Sequence, residues 1–201
     1  MSIQEPPLHV LVVNSTTRED RFSEVVAPWV CAALERRPEL EIELLDLREH
    51  RLPFFDGPAP AKNPRNYPND EVRRLAGRVD RADGYLILAA EYNHGYSAVL
   101  KNALDWTFVE WNRKPVSFIG WGNVGGARAI EQLRQVSVEL EMAPLRHAVH
   151  LLGSQMMAAR SGDPSALGSL EPRLGLLVDD LIWWGRALRS ARAGAVDAIR
   201  R

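Results

Sequence analysis

"GYLILAAEYNHGYSAVLKNALDW", Gly84–Trp106, carries three patterns in one stretch. Its first seven residues are apolar throughout, as in a strand covered on both faces. Val99, Leu100, Ala103 and Leu104, continued by Phe108 and Trp111, recur at helical spacing, and Ser97 stands where a helix cap is needed. The polar residues Glu91–His94 lie between, with Gly95 supplying backbone freedom. A buried strand that runs through a loop into an amphipathic helix is half of a βαβ unit, so the same alternation is expected on either side.

It is there. "HVLVVN" (His9–Asn14), "IELLD" (Ile42–Asp46), "PVSFIGW" (Pro115–Trp121) and "RHAVHLL" (Arg146–Leu152) read as four more strands, mostly apolar without alternation. Phe22, Val25, Val26, Trp29, Val30, Ala33 and Leu34 predict a first helix, with Pro28 removing one backbone donor and predicting a kink. A helix is expected from about Gly126 to Met142. A last one is expected over Leu176–Arg189, with Leu177, Leu181, Trp184 and Leu188 on one side. The reading is one α/β domain, 1–201 with its core at about 8–190, around a parallel sheet with right-handed crossovers. Arg48–Asp70 and Gly153–Ser169 read as long loops at the carboxyl ends of strands, where an open sheet binds its ligand.

Composition narrows the function. The 201 residues are long enough for a core without disulfides or metal, and 46% hydrophobic with 25% charged is an ordinary globular balance. A net charge of −1 gives no electrostatic footprint for nucleic acid or an acidic membrane surface. The single cysteine, Cys31, excludes an internal disulfide and falls in a helical pattern as a small hydrophobe. The first residues lack the basic and apolar regions of a signal peptide, and no apolar run approaches a membrane span, so a cytoplasmic protein is expected.

The turn after the first strand, "NSTTREDRFSEVV" (Asn14–Val26), offers hydroxyls at Ser15, Thr16, Thr17 and Ser23 together with Arg18 and Arg21, just before a helix. Side-chain donors, free amides and the positive end of a helix dipole are what a phosphate requires. The Walker spacing is missing, and Glu19 and Asp20 add negative charge; a hydroxyl-capped helix with exposed arginines is the plain alternative. "GYSAV" fails the nucleophile-elbow pattern because its second glycine is Val99, so no serine triad is read. His147 and His150, three apart on a strand, fall on opposite faces, so no metal pair is expected. Lys101 and Asp105 read as an i, i+4 surface pair.

"FIGWGNVGGA" (Phe118–Ala127) contains G-x-G-x-x-G at Gly120, Gly122 and Gly125. It follows the fourth strand rather than the first, and no acidic residue for a ribose ends the next strand. A fixed dinucleotide site is therefore not the reading.

"EYNHGYSAVLKNALDW" resembles the hallmark segment of the NADPH-dependent FMN reductase family. "STTREDRFS" corresponds to that family's Gly-Ser-x-Arg phosphate turn, and "GWGNVGGARA" to its glycine loop; the likeness runs in order over about residues 8 to 152. Ser15 stands at the usual glycine and Ala90 at the usual proline. The resemblance implies a flavodoxin-like three-layer sandwich with strand order 2-1-3-4-5, bound FMN, and NADPH or NADH as transient hydride donor. It places the FMN phosphate on Thr16, Thr17, Arg18, Arg21 and Ser23. The ring then lies between Ala90, Glu91, Tyr92 and Asn93 and the loop of Gly120, Gly122, Gly125 and Gly126, whose glycines let backbone approach the ring. The flavin carries the chemistry, so neither a catalytic side chain nor a metal is expected. The resemblance further implies a small-molecule acceptor (quinone, azo compound, chromate or free flavin) and a homodimer or dimer of dimers, with the Ser97–Trp111 helix as candidate interface and Trp106 and Trp111 equally readable as core. Two other readings remain: a flavodoxin-like electron carrier or redox sensor without NAD(P)H turnover, and a relative that has exchanged flavin for another phosphorylated ligand.

Overall fold

The structure, a computed structural model, describes residues 5–199. Five strands, β1 (Leu8–Asn14), β2 (Leu40–Asp46), β3 (Gly84–Ala90), β4 (Pro115–Trp121) and β5 (Ala143–Leu151), pair in parallel in the order β2-β1-β3-β4-β5. This is the expected order. Every residue of β3 and β4 is buried, which is why their sequences carry no polar alternation.

Two-residue periodicity sends alternate side chains to two cores. Val10, Val12, Leu86, Leu88, Ile119 and Val149 join α1 (Ser23–Glu35) and α7 (Glu171–Ile199) on one face. Leu11, Val13, Tyr85, Ile87 and Phe118 meet α2 (Asp70–Arg81), α3 (Ala98–Trp106) and α4 (Ala127–Glu139) on the other. The result is a flavodoxin-like three-layer sandwich.

Several expectations are corrected. The sequence reading passed over α2, although Asn69 caps it by accepting from the Glu71 and Val72 amides (2.8 and 3.4 Å) and Val72, Leu75, Ala76 and Val79 form its buried stripe. Gly153–Ser169 is not a loop: it holds α5 (Gly153–Arg160) and α6 (Pro164–Gly168). The helix expected over Ser97–Trp111 spans only Ala98–Trp106; a turn follows, and Trp106 and Trp111 are both buried within the chain. On α7 the inward side is Leu174, Leu177, Val178, Leu181 and Ile182, while Trp184 is 40% exposed and stacks edge-on with Trp183. Helix α1 runs unbroken through Pro28. Cys31 packs half-buried against the first core, and burial pushes its thiol up. His147 turns to Asp180 of α7 (2.9 Å) while His150 meets the Gly125 carbonyl, so the two do diverge.

Candidate active site

Strands β1 and β3 are neighbours, yet the chain leaves β1 for β2 on one side and β3 for β4 on the other. The loops at their carboxyl ends therefore part at this point and leave a crevice. Three loops shape it.

The first loop follows β1. The Ser15 amide and hydroxyl both donate to the Leu88 carbonyl (3.3 and 2.6 Å), and the Ser97 hydroxyl donates to the Ser15 carbonyl (2.6 Å) while capping α3 at Leu100. Serine at the usual glycine position thus acts as a tie to β3. Thr16 and Ser23 are buried, and their hydroxyls share a 2.8 Å hydrogen bond at the start of α1. Phe22, the N-cap of α1, offers no side-chain acceptor. The amides of Thr17, Arg18, Glu19 and Asp20 reach no acceptor among the described residues. Open amides, convergent hydroxyls and a helix N-terminus together make a concave donor array suited to an anion.

The two arginines of this loop differ. Arg21 turns inward: it donates to both oxygens of Asp46 (2.7 Å to Oδ1) and to the Thr16 carbonyl, and Nε bonds Glu24. Burial raises the Asp46 carboxyl, but the Arg21 bonds outweigh it and hold it below its usual range. Arg21, expected among the groups facing a phosphate, lines the cleft while its guanidinium is engaged by Asp46 and the Thr16 carbonyl, so it also braces the loop. Arg18 is exposed and lies over the Tyr92 ring at 5.6 Å, bridging the first loop to the second. Thr17 is exposed beside it.

The second loop follows β3. Tyr92 and Gly95 exchange backbone hydrogen bonds (2.8 and 3.0 Å), and Asn93 and His94 between them have φ of 49° and 76°. This is a two-residue turn of the I′ kind, natural for asparagine and costly for histidine. It presents Asn93 and His94 to solvent at the crevice rim. Glu91 points the other way, its side chain 4% exposed. It accepts from the Arg128 amide (3.1 Å) and from Nε of Arg128 (2.7 Å). Burial raises the Glu91 carboxyl, and the Arg128 bonds overcome that and hold it low. The pair clasps the β3 loop to the first turn of α4. Ala90, buried, ends β3 in register with Trp121, and the Glu91 amide continues the pairing to the Trp121 carbonyl (2.9 Å).

The third loop joins β4 to α4, and here the reading of the glycines changes. A Cβ on Gly126 (φ 71°) would stand 2.7 Å from the Trp121 nitrogen, and one on Gly125 (φ 69°) 2.8 Å from the His150 Cβ. On Gly120 it would meet Ile130 at 2.8 Å, and on Gly122 it would meet the Glu91 Cβ at 3.1 Å. The protein itself fills the room these glycines leave. They let the loop fold back onto β4 and β5, rather than opening space for a ligand at all four positions. Only Gly122–Val124 remain accessible.

Between the loops runs a cleft of about 520 Å³, bounded by Arg18, Glu19, Asp20, Arg21 and Phe22 of the first loop, by Ala90, Glu91, Tyr92 and Trp121, and, from α5, by Met156 and Arg160. Arg160 lies over the Phe22 ring at 5.6 Å and donates to the Asp20 carbonyl (2.7 Å). Sequence reading missed Arg160, Arg128, Asp46 and Ser97 as parts of the site. Only Ser97 had a local signal, its cap position; the others act across sequence separations of 25 to 140 residues.

The sequence profile of the NADPH-dependent FMN reductase family matches residues 8–155. The chain belongs to that family. An NAD(P)H-dependent FMN reductase of Schizosaccharomyces pombe is 31% identical over 71% of this chain and 72% of its own length. An NADPH:quinone oxidoreductase of Arabidopsis thaliana is 30% identical over 69% of this chain and 70% of its own. The fold of FerB, an NAD(P)H:acceptor oxidoreductase of Paracoccus denitrificans, superposes with a TM-score of 0.67 at 22% identity, covering 90% of this chain and 98% of that one. Membership makes this an enzyme, an FMN-dependent oxidoreductase working with NAD(P)H. No described helix is long and apolar enough to cross a membrane, and the described residues bring no three metal-ligating side chains together.

Proposed function

We propose that the whole chain, residues 1–201, works as one flavodoxin-like unit that holds FMN at this crevice, takes hydride from NADPH or NADH, and passes two electrons to a small acceptor. The observation that carries the placement is the first loop: four amides without acceptors among the described residues, beside the buried Thr16–Ser23 hydroxyl pair at the N-terminus of α1. Thr16, Thr17, Arg18 and Ser23 would hold the phosphate monoester, with Arg21 keeping the loop shaped for it. The backbone of Ala90–Asn93 and of Gly122 would face the ring, with Glu91 and Arg128 fixing the spacing of those two segments and Gly120, Gly125 and Gly126 seating the third loop. Bound FMN supplies the hydride-accepting chemistry. The chain's own task is to orient it and shield one side, which needs neither a proton-transferring dyad nor a metal. Quinones, azo compounds, chromate and free flavin are the acceptor classes in view, and a cytoplasmic homodimer or dimer of dimers is the form we propose.

Purified protein loaded with FMN should oxidise one equivalent of NADPH per flavin without an acceptor and turn over continuously only when one is present, and a panel of quinone, azo dye, chromate and free FMN should rank them. A flavin that binds yet stays oxidised under NADPH and NADH, but is reduced by a protein donor, would mark an electron carrier instead.

A further inference from the structure

The loop after β2 holds a phenylalanine, Phe54, that is 86% exposed. Its exposure is built in. The Asn102 side chain of α3 grips the backbone on either side, donating to the Pro53 carbonyl (2.8 Å) and accepting from the Phe55 amide (2.9 Å). Trp106 Nε1 donates to the same Pro53 carbonyl (2.8 Å), and the Phe55 ring packs edge-on against Trp106 at 5.1 Å. With both neighbours pinned to α3, the Phe54 ring is held out from the surface.

Beside it, between this loop and the first turn of α3, opens a cavity of about 320 Å³. Leu47, Leu52 and Val99 give it apolar walls, and no carboxylate lines it. An apolar knob and an apolar hole therefore lie next to each other on one surface, and the ties on Pro53 and Phe55 keep the knob from folding into its own hole. Charge is arranged in the same way. Arg51 and Asp56 flank the apolar centre of the loop; both are exposed, and neither forms an ion pair among the described residues. The nearby Arg48, by contrast, is taken by Glu24 (3.0 Å) and the Arg18 carbonyl. Laid antiparallel on itself, "RLPFFD" (Arg51–Asp56) sets Arg51 opposite Asp56, Leu52 opposite Phe55 and Pro53 opposite Phe54. A two-fold axis imposes that pairing, because in a symmetric contact residue i meets j wherever j meets i.

We infer that this face binds a second copy of the chain about a two-fold axis. Phe54 of each copy enters the cavity of the other, and Arg51 of each meets Asp56 of the other. Each contact occurs twice in the pair, so each substitution is felt twice. The buried ring supplies the anchor, and the two ion pairs at the rim fix the register. The inference rests on the homodimer of the proposed function and names its surface: the loop after β2 with the first turn of α3, rather than the whole of that helix.

Sedimentation velocity across a concentration series tests it. The unaltered protein should sediment as a homo-oligomer. Phe54→Asp carries a carboxylate into the apolar hole and should weaken the association at least about a hundredfold, halving the mass where the unaltered protein stays assembled. Arg51→Asp and Asp56→Arg should each weaken it about tenfold, and the double variant, with the charges exchanged, should recover most of that loss. All three side chains are exposed, so folding is not at stake, and far-UV circular dichroism checks it. A monomeric unaltered protein overturns the inference, as does a double variant that associates no better than the single ones. So does a Phe54→Asp variant of undiminished mass, whose copies would then meet elsewhere, such as over the exposed Trp183–Trp184 pair of α7. FMN binding is read on the same samples by quenching of flavin fluorescence. Its absence from the unaltered protein overturns the proposed chemistry and leaves the interface standing, whereas a monomer that binds FMN overturns the interface alone.

Discussion

The two ends of the sheet handle polar groups in opposite ways. At the amino end, Lys114 is buried and its Nζ donates to the carbonyls of Val79, Asp80 and Glu110 (3.0, 2.8 and 2.7 Å). The Tyr85 hydroxyl reaches the Val79 and Glu110 carbonyls, and the Glu110 carboxylate, 1% exposed, takes the Tyr67 hydroxyl (2.7 Å). Asp83 ties Arg189 and Arg192 of α7 to this end. At the carboxyl end, amides from Thr17 to Asp20 lack acceptors among the described residues, Arg18 rests on an aromatic ring, and Asn93 and His94 sit in the left-handed region. One end is closed upon itself; the other leaves donors open, which is where we propose the cofactor phosphate binds.

Disturbing the closed end should show in stability. Lys114→Met removes one donor from each of three carbonyls, of which those of Val79 and Glu110 keep the Tyr85 hydroxyl, and should destabilise by about 2 kcal/mol, read by chemical denaturation. Burial lowers the Lys114 pKa to about 8 from its ordinary 10.5. Because the unfolded chain then binds the proton more tightly, the contribution of this group to stability is complete above pH 10.5. It falls away as the pH drops through about 8. Denaturation midpoints across that window should rise with pH in the unaltered protein and lose that rise in Lys114→Met.

The glycine loop stands between the two extremes, packed like the closed end but placed at the open one. Gly126→Val combines a left-handed backbone with a Cβ driven into the Trp121 nitrogen. A loss of about 2–4 kcal/mol is expected in thermal or chemical unfolding, together with weakened FMN retention. Glu91→Gln should be milder. It keeps the shape but weakens the clasp to Arg128, so FMN affinity should fall roughly tenfold with about 1 kcal/mol of stability. Flavin titration beside a melting curve separates the two effects. Arg18→Gln should be the gentlest to the fold: no more than about 0.5 kcal/mol of stability, with a clear loss of FMN affinity in the same titration.

How far the sequence foretold this depends on the range of the signal. The boundaries of β3 and β4 were legible to the residue because full burial wrote uninterrupted apolar runs. The polar loops at the carboxyl ends of β1, β3 and β4 were legible too, since hydroxyls, glycines and "EYNH" are local patterns. Helix α5 was not, because it buries no residue fully and so has no apolar stripe to read. Helix α2 did carry its stripe and cap, but only four buried positions among charged neighbours. The role of Arg21 was hidden for a different reason. Its partner Asp46 ends β2, and only the adjacency of β1 and β2 brings the two together. At Gly120, Gly125 and Gly126 the protein's own atoms take up the room that the sequence reading left for a ligand, because a sequence shows that space is needed without showing what fills it.

The contrast between a closed end and an open one is tested most directly by comparing FMN with riboflavin, which lacks the phosphate, in equilibrium titrations of the unaltered protein. If the open amides and the Thr16–Ser23 pair form a phosphate cradle, FMN should bind at least about a hundredfold more tightly. Arg18→Gln should narrow that gap while leaving riboflavin binding where it was. Equal affinity for the two flavins would contradict the account.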